Sequence, residues 1–320
     1  MPLKMKINWD KIERKNFGFF EYSLLSKKSD ILLNIGYTPE NKRCLILELS
    51  GDQEFNLPIQ KKANLSIEFF TEIKCLCIIL HEDFFTVEFD DFILSIQNVL
   101  DKSGDKSQSA KILIKAFNKW SSFFNNVKRY SLSENEIKGL FAELFCLHEL
   151  VLKEEYDVDT ITNSWVGPIN KSNDFLLPDK SIEVKSIDYG KKTVSISSIH
   201  QLKIPLNSIS LFLNIYELKR ESVNGITITT LLQQIKDLVF NQNGSIESIY
   251  EMLSQFCLNN QNISDLDDFK FSVKNLKVYD STSPDFPRIS YDNVSSTINE
   301  CKYELLINEL KPFLVQNIDY

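Results

Sequence analysis

The residues best suited to chemistry in this 320-residue chain lie between Asn173 and Ser186, in NDFLLPDKSIEVKS. Asp174 stands shortly before Ile182-Glu183-Val184-Lys185. If that tetrapeptide is a strand, alternation sends Glu183 and Lys185 to one face and Ile182 and Val184 to the other. Two carboxylates and an ammonium then converge on one point. Such a set suits a hard divalent cation and a water directed at a phosphodiester. Asp174, Glu183 and Lys185 are therefore the primary candidates. An acidic-x-Lys triplet also fits the wet face of an ordinary amphipathic strand, so its surroundings must decide.

Three neighbouring segments would position the set. Upstream, SLSENEIKGLFAELFCLHEL (residues 131–150) opens with Ser133 and, three residues later, Glu136, the pattern of a capping box. Ile137, Leu140, Phe141, Leu144, Phe145 and Leu147 follow at helical spacing. Glu143 lies inside that apolar stripe. A carboxylate there is costly unless a cation or hydrogen-bond donors receive it; the alternative is a place at the stripe's edge, reaching water. Next comes NSWVGPINKSNDF, where Trp165 precedes Gly167-Pro168 and Asp174 begins an apolar segment. This reads as strand, turn, strand. Pro178-Asp179 reads as a hairpin turn, which leaves Asp179 a weaker candidate than Asp174. Downstream, residues 193–202 read as a strand entering a short helix capped by Ser197 or Ser198. Residues 208–218, SISLFLNIYEL, suit a buried strand.

GLFAEL, W-x-GP, NDF, IEVKS, ISSIHQL and, later, FPRIS together resemble a bacterial family of PD-(D/E)XK nuclease-like proteins encoded beside phage-defence and restriction genes. The resemblance runs over most of the chain. Two departures are visible: Asn173, not Pro, precedes Asp174, and Ala142 replaces the Gly of a helical Gly-Glu-Leu while Glu143 is kept. The resemblance implies metal-dependent DNA cleavage, with Asp174 and Glu183 holding Mg²⁺ (Mn²⁺ as the alternative) together with the Val184 carbonyl. Lys185 would position the attacking water or stabilise developing charge. Glu143, facing the metal from the helix, would bind it through water or complete a second site, and the products would carry 5′-phosphate and 3′-hydroxyl ends. Gln201 and His200 fall where related nucleases place a polar helper; a satisfied surface role is the alternative for both.

The chain carries 36 Lys and Arg against 44 Asp and Glu, a net charge of −8, which argues against a general basic coat. Phosphate contacts are local, so DNA remains an expected partner. Lys171, Lys180, Lys185, Lys191, Lys192 and Lys203 stand among only four acids, and two of those are the expected ligands. Lys191-Lys192 is thus a candidate DNA contact, or else a solvated turn. No run approaches eighteen apolar residues, and the first fifteen residues lack an apolar leader core. A cytoplasmic protein with no membrane partner is expected. The six cysteines are scattered and show no paired ligand spacing, so zinc is not expected; Cys75 and Cys77 read as core.

The expected architecture is mixed, α+β. A β-rich N-terminal domain spans residues 1–100, a restriction-endonuclease-like α/β core residues 111–240, and a small α/β extension packed on that core residues 241–320. Residues 101–110, polar with Ser and Gly, read as the linker. Strand-like runs recur at 30–37, 44–49, 65–70, 75–80 and 84–89, and a helical pattern begins at 92. The leading functional expectation is a metal-dependent DNA endonuclease of a defence or restriction system. ATPase or methyltransferase subunits of such a locus, and a second copy of the chain, are the expected protein partners. The rival is a catalytically silent structural or DNA-docking subunit with the same fold. A repair exonuclease would need an enclosing channel or processivity element that the sequence does not display. Base specificity rests on a few side chains placed by the fold and is not readable here.

Overall fold

The apolar runs near the start of the chain form a six-stranded antiparallel sheet. A computed structural model describes residues 7–12, 21–28, 31–49, 60–62, 64–121, 123–124, 132–167, 169, 172–204, 210–259, 262–290, 295, 297–298 and 301–320. Asp30, Pro168, Lys171 and Ser208, which figure in the readings above, lie outside the described residues. The chain is mixed α+β and divides into two units. The first comprises Met1–Lys128 and Val239–Tyr250, the second Arg129–Leu238 and Glu251–Tyr320.

In the first unit the strands are β1 (Glu21–Lys28), β2 (Ile31–Tyr37), β3 (Arg43–Glu48), β4 (Gln60–Lys62), β5 (Leu65–Phe70) and β6 (Cys75–Leu80). Their order is β1-β2-β3-β6-β5-β4. Cys44, Ile46, Cys75, Cys77 and Ile79 pack together as a buried cluster, so Cys75 and Cys77 are core residues. Residues 84–89 are not a strand. They enter helix α1 (Thr86–Ser103) through a 3₁₀ turn. The reason is spacing: Phe85, Phe89 and Phe92 are all buried, and they recur at helical intervals that a short aromatic run disguises as alternation. Residues 101–110 hold the end of α1, Gly104 in the left-handed region, a 3₁₀ turn and the start of α2 (Ser109–Trp120).

The second unit holds α3 (Glu134–Lys153), α4 (Val158–Ser164), β7 (Phe175–Leu176), β8 (Lys180–Asp188), β9 (Thr193–Ile196) and β10 (Ser210–Arg220). Then come α5 (Ile228–Asn241), α6 (Glu247–Gln255), β11 (Phe271–Asp280), β12 (Tyr303–Leu306) and β13 (Leu314–Asp319). Both α5 and α6 contribute residues to each unit. The main sheet runs β13-β11-β10-β8-β7, and β9 pairs with β12 in a separate two-stranded ribbon. Among the described strands only β8 and β10 pair in parallel, with Glu183 opposite Leu213 and Lys185 opposite Ile215. Parallel pairs belong in sheets covered on both faces, and β8 follows that rule. Ile187, Leu213 and Ile215 join Val194, Ile196 and Leu305 in one buried cluster. On the other face α3 lies against the sheet, where the Tyr216 hydroxyl donates to Glu149 at 2.9 Å.

α3 begins as its sequence requires. The Ser133 hydroxyl accepts from the Glu136 amide, and Glu136 returns a bond to the Ser133 amide at 2.8 Å. Residues 197–202 depart from the expected short helix. The Ser198 hydroxyl does accept from the His200 amide, as an N-cap would, but the segment closes as consecutive turns. Too few residues follow before the chain leaves the turn, and one helical turn alone costs more order than its bonds return.

Candidate active site

The site is assembled from β8, the turn before β7, and α3. On β8, Glu183 and Lys185 share a face, and the Lys185 ammonium donates to Glu183 Oε1 at 2.5 Å. Glu183 is 1% exposed, an extreme position for a carboxylate. Asp174 is gripped from two sides. Its amide donates to the Ile182 carbonyl at 3.0 Å, and its own carbonyl accepts from Val166 and Gly167 at 2.8 and 3.0 Å. Its side-chain Oδ2 accepts from the Val184 amide at 2.7 Å. The aspartate is thereby clamped to the strand that carries Glu183 and Lys185.

Glu143 arrives from α3, half-buried, and its Oε2 accepts from Trp165 Nε1 at 2.8 Å. Gly167 lies between the two acids. A β-carbon there would stand 2.7 Å from both Asp174 Oδ1 and Glu143 Oε2, so bare backbone is what lets both carboxylates approach. Glu143 therefore neighbours Asp174 and does not lie on an open helix face.

The electrostatics follow from this crowding. Burial pushes the Glu143 carboxyl up to about 8; the Asp174 charge adds to this, while the Trp165 bond and Lys185 oppose it. Burial also raises Asp174, against the pull of Lys185 and the Val184 amide. Glu183 is held well above the usual carboxylate range by burial and then by Asp174. Burial would lower Lys185, but Glu183 first and then Asp174 outweigh it, so the ammonium is held above its ordinary value and stays protonated.

Val184 is buried and commits its amide to Asp174. Gln201 Oε1 accepts from the Ser197 amide, and its carbonyl accepts from Asn173 Nδ2 at 2.9 Å, tying this turn to the residue before Asp174. His200 sits in the same turn, half-buried. Lys191 and Lys192 are exposed after Gly190, whose φ of 83° turns the chain out of β8. Lys191 lies 3.9 Å from Glu304. Asp179 is exposed and accepts from the Tyr156 hydroxyl, apart from the cluster. Sequence reasoning used Trp165 only as a marker of the turn and gave Gly167 no role beyond it. The available signal was chemical: a buried Trp N–H needs an acceptor.

Among the described residues no three His, Cys, Asp or Glu side chains already surround a single ion position. The bonds explain this. Glu143 points at Trp165, Asp174 at the Val184 amide and Glu183 at Lys185. The donor chemistry nonetheless fits a hard divalent cation, being carboxylate oxygens crowded in a buried place where a cation would favour their ionised forms.

The family described as "Putative PD-(D/E)XK family member, (DUF4420)" matches residues 5–308. The chain belongs to this family. No curated protein and no solved structure matches it. The match spans both units, and the family's description is that of a PD-(D/E)XK nuclease-like protein. No helix among the described residues is long and apolar enough to cross a membrane.

Proposed function

We propose that the protein is a divalent-metal-dependent deoxyribonuclease of a bacterial defence or restriction system, hydrolysing phosphodiester bonds. The observation that carries this reading is the charge balance of the cluster. Fully ionised, three carboxylates and one ammonium would carry two surplus negative charges in a poorly solvated place, and it is this crowding that drives Glu143 and Glu183 toward their protonated forms. Neutral donors such as the Trp165 and Val184 N–H groups soften that repulsion but cannot cancel it. A single divalent cation would.

Asp174 and Glu183, with the Val184 carbonyl, would hold the cation, Mg²⁺ or Mn²⁺. When bound, the ion supplies polarisation of the scissile phosphate and acidification of a water. Lys185 stays protonated, so it can orient that water by donating to it or face the charge that develops on the phosphate. Glu143 would face the ion through water from α3, beside Asp174, and, kept partly protonated by burial and its acidic neighbour, can take or return a proton near neutral pH. Lys191 and Lys192, exposed beyond the end of β8, would meet the DNA backbone, and Gln201 and His200 would support the site from their turn.

The test is incubation of purified protein with plasmid and linear DNA in Mg²⁺, Mn²⁺ or EDTA, beside Asp174→Ala, Glu183→Ala and Lys185→Ala. Cleavage should need the cation and vanish in both acid variants. Lys185→Ala should be crippled yet still bind the cation, since an ammonium has no lone pair to give. Equal cleavage by wild type and Glu183→Ala would mark a contaminant and remove the support for the site. Cation binding without cleavage of any DNA, even with the products of neighbouring genes added, would favour the silent-subunit reading.

A further inference from the structure

Two residues beside the cluster have no chemistry of their own and yet touch both of its outlying acids. We propose that Trp165 and Gly167 are the positioning residues of the cation site. Trp165 fixes the Glu143 carboxylate, and Gly167 sets how closely Glu143 and Asp174 approach. This inference rests on the cation-site reading above.

The geometry is a short strap. α4 ends at Ser164, and Trp165 then bridges Phe175, the residue after Asp174. The next two amides, of Val166 and Gly167, both donate to the Asp174 carbonyl. Three consecutive residues therefore hold the main chain of one acid while the first of them holds the side chain of the other. Trp165 is 1% exposed, and its indole has a single N–H, which it donates to Glu143. Fixed in a packed site, that N–H dictates one carboxylate orientation for Glu143.

Gly167 completes the device by what it lacks. A β-carbon at this position would sit 2.7 Å from an oxygen of each acid and 3.3 Å from the Asp174 α-carbon. Side-chain carbons do not approach oxygens that closely, so an alanine must displace Asp174 Oδ1, Glu143 Oε2 or both. Asp174 is held through its other oxygen and its main chain. Glu143 Oε2 is the atom that Trp165 holds. The methyl group would thus oppose the indole bond directly, and the two carboxylates could no longer serve one ion. Outer partners of metal ligands typically govern about 10–100-fold of metal affinity, which sets the size of effect expected here.

The experiment is calorimetric titration of the full chain with Mn²⁺ alone, comparing wild type with Trp165→Phe, Gly167→Ala, Glu143→Gln, the Trp165→Phe/Glu143→Gln double variant and Asp174→Ala. Trp165→Phe and Gly167→Ala should each weaken Mn²⁺ binding about tenfold or more, with unaltered far-ultraviolet circular dichroism. The double variant should bind no more weakly than Glu143→Gln alone, because Trp165 acts through Glu143. An added loss in the double variant would show a merely structural tryptophan and overturn the proposal. Wild-type affinity in Gly167→Ala would overturn it as well, and this arm stands even if Trp165→Phe fails to fold. Asp174→Ala separates the two levels. If it binds Mn²⁺ like wild type, the cation-site reading fails; if it loses Mn²⁺ while Trp165→Phe and Gly167→Ala do not, only the positioning role fails.

Discussion

Replacing Glu143 by glutamine should change how the stability of the metal-free protein depends on pH. Burial, with Asp174 beside it, moves this carboxyl from an ordinary value of 4.5 to about 8. Between those values the folded protein keeps a proton that the unfolded chain has lost. Stability contributed by the protonated acid is therefore complete below about pH 4.5 and declines as pH rises through about 8. A move of this size corresponds to a ceiling of about 5 kcal/mol. Glu143 is only half-buried, and its proton is shared in effect with Asp174, so water and coupling reduce the expected decline to about 2 kcal/mol. Glu143→Gln retains an acceptor for Trp165 Nε1 and removes the titration. Urea unfolding in EDTA, from pH 5 to 8.5, should show wild type losing stability toward high pH and the variant losing about 2 kcal/mol less. Saturating Mg²⁺ should flatten the wild-type slope, because a cation favours the ionised form. Parallel slopes for wild type and Glu143→Gln in EDTA would refute the reasoning.

Two further perturbations test parts of the structure away from the catalytic question. Ser133→Ala removes the cap of α3 and should cost about 1 kcal/mol in thermal or urea unfolding; no loss would mean that the capping box is idle. Asp90, which accepts from Trp9 Nε1 at 2.8 Å, is raised by burial to about 6 against the pull of that bond and of Arg43. The first unit should therefore lose up to about 2 kcal/mol as pH rises from about 4 to 6 and hold level above. Asp90→Asn should abolish that step, and an unchanged step in the variant would dismiss Asp90 as its source.

Short-range patterns explain what was legible in the sequence. The capping box of α3 is written in Ser133 and Glu136, and the strands at residues 31–37, 65–70 and 75–80 follow from their apolar runs. The shared face of Glu183 and Lys185 follows from period-two alternation alone. What escaped was set by tertiary packing. Phe84-Phe85 looked like strand until α1 turned Phe85, Phe89 and Phe92 inward. The turn at residues 197–202 is held by Asn173 and Gln201 acting across the site, a pairing that no local pattern encodes. Trp165 and Glu143 meet across 22 residues of sequence, through the angle between α3 and the chain leaving α4. No periodicity within either element foretells that angle.

A strand covered on both faces normally reads as an apolar run, and β8 places charges on one face of its middle, at Glu183 and Lys185. The two offset one another as an ion pair, so the pair alone would give a neutral and inert site. Asp174 and Glu143 add negative charge to it as they ionise. That charge repels a phosphodiester, whose own charge would have to enter a poorly screened place. The same acids attract a divalent cation, and once the cation is present the sign seen by the phosphate reverses. On the proposed nuclease reading, substrate approach would thus be coupled to metal occupancy. Lys191 and Lys192 would draw the DNA backbone to the surface beyond β8, and a scissile phosphate would settle beside Asp174 and Glu183 only after the ion had bound.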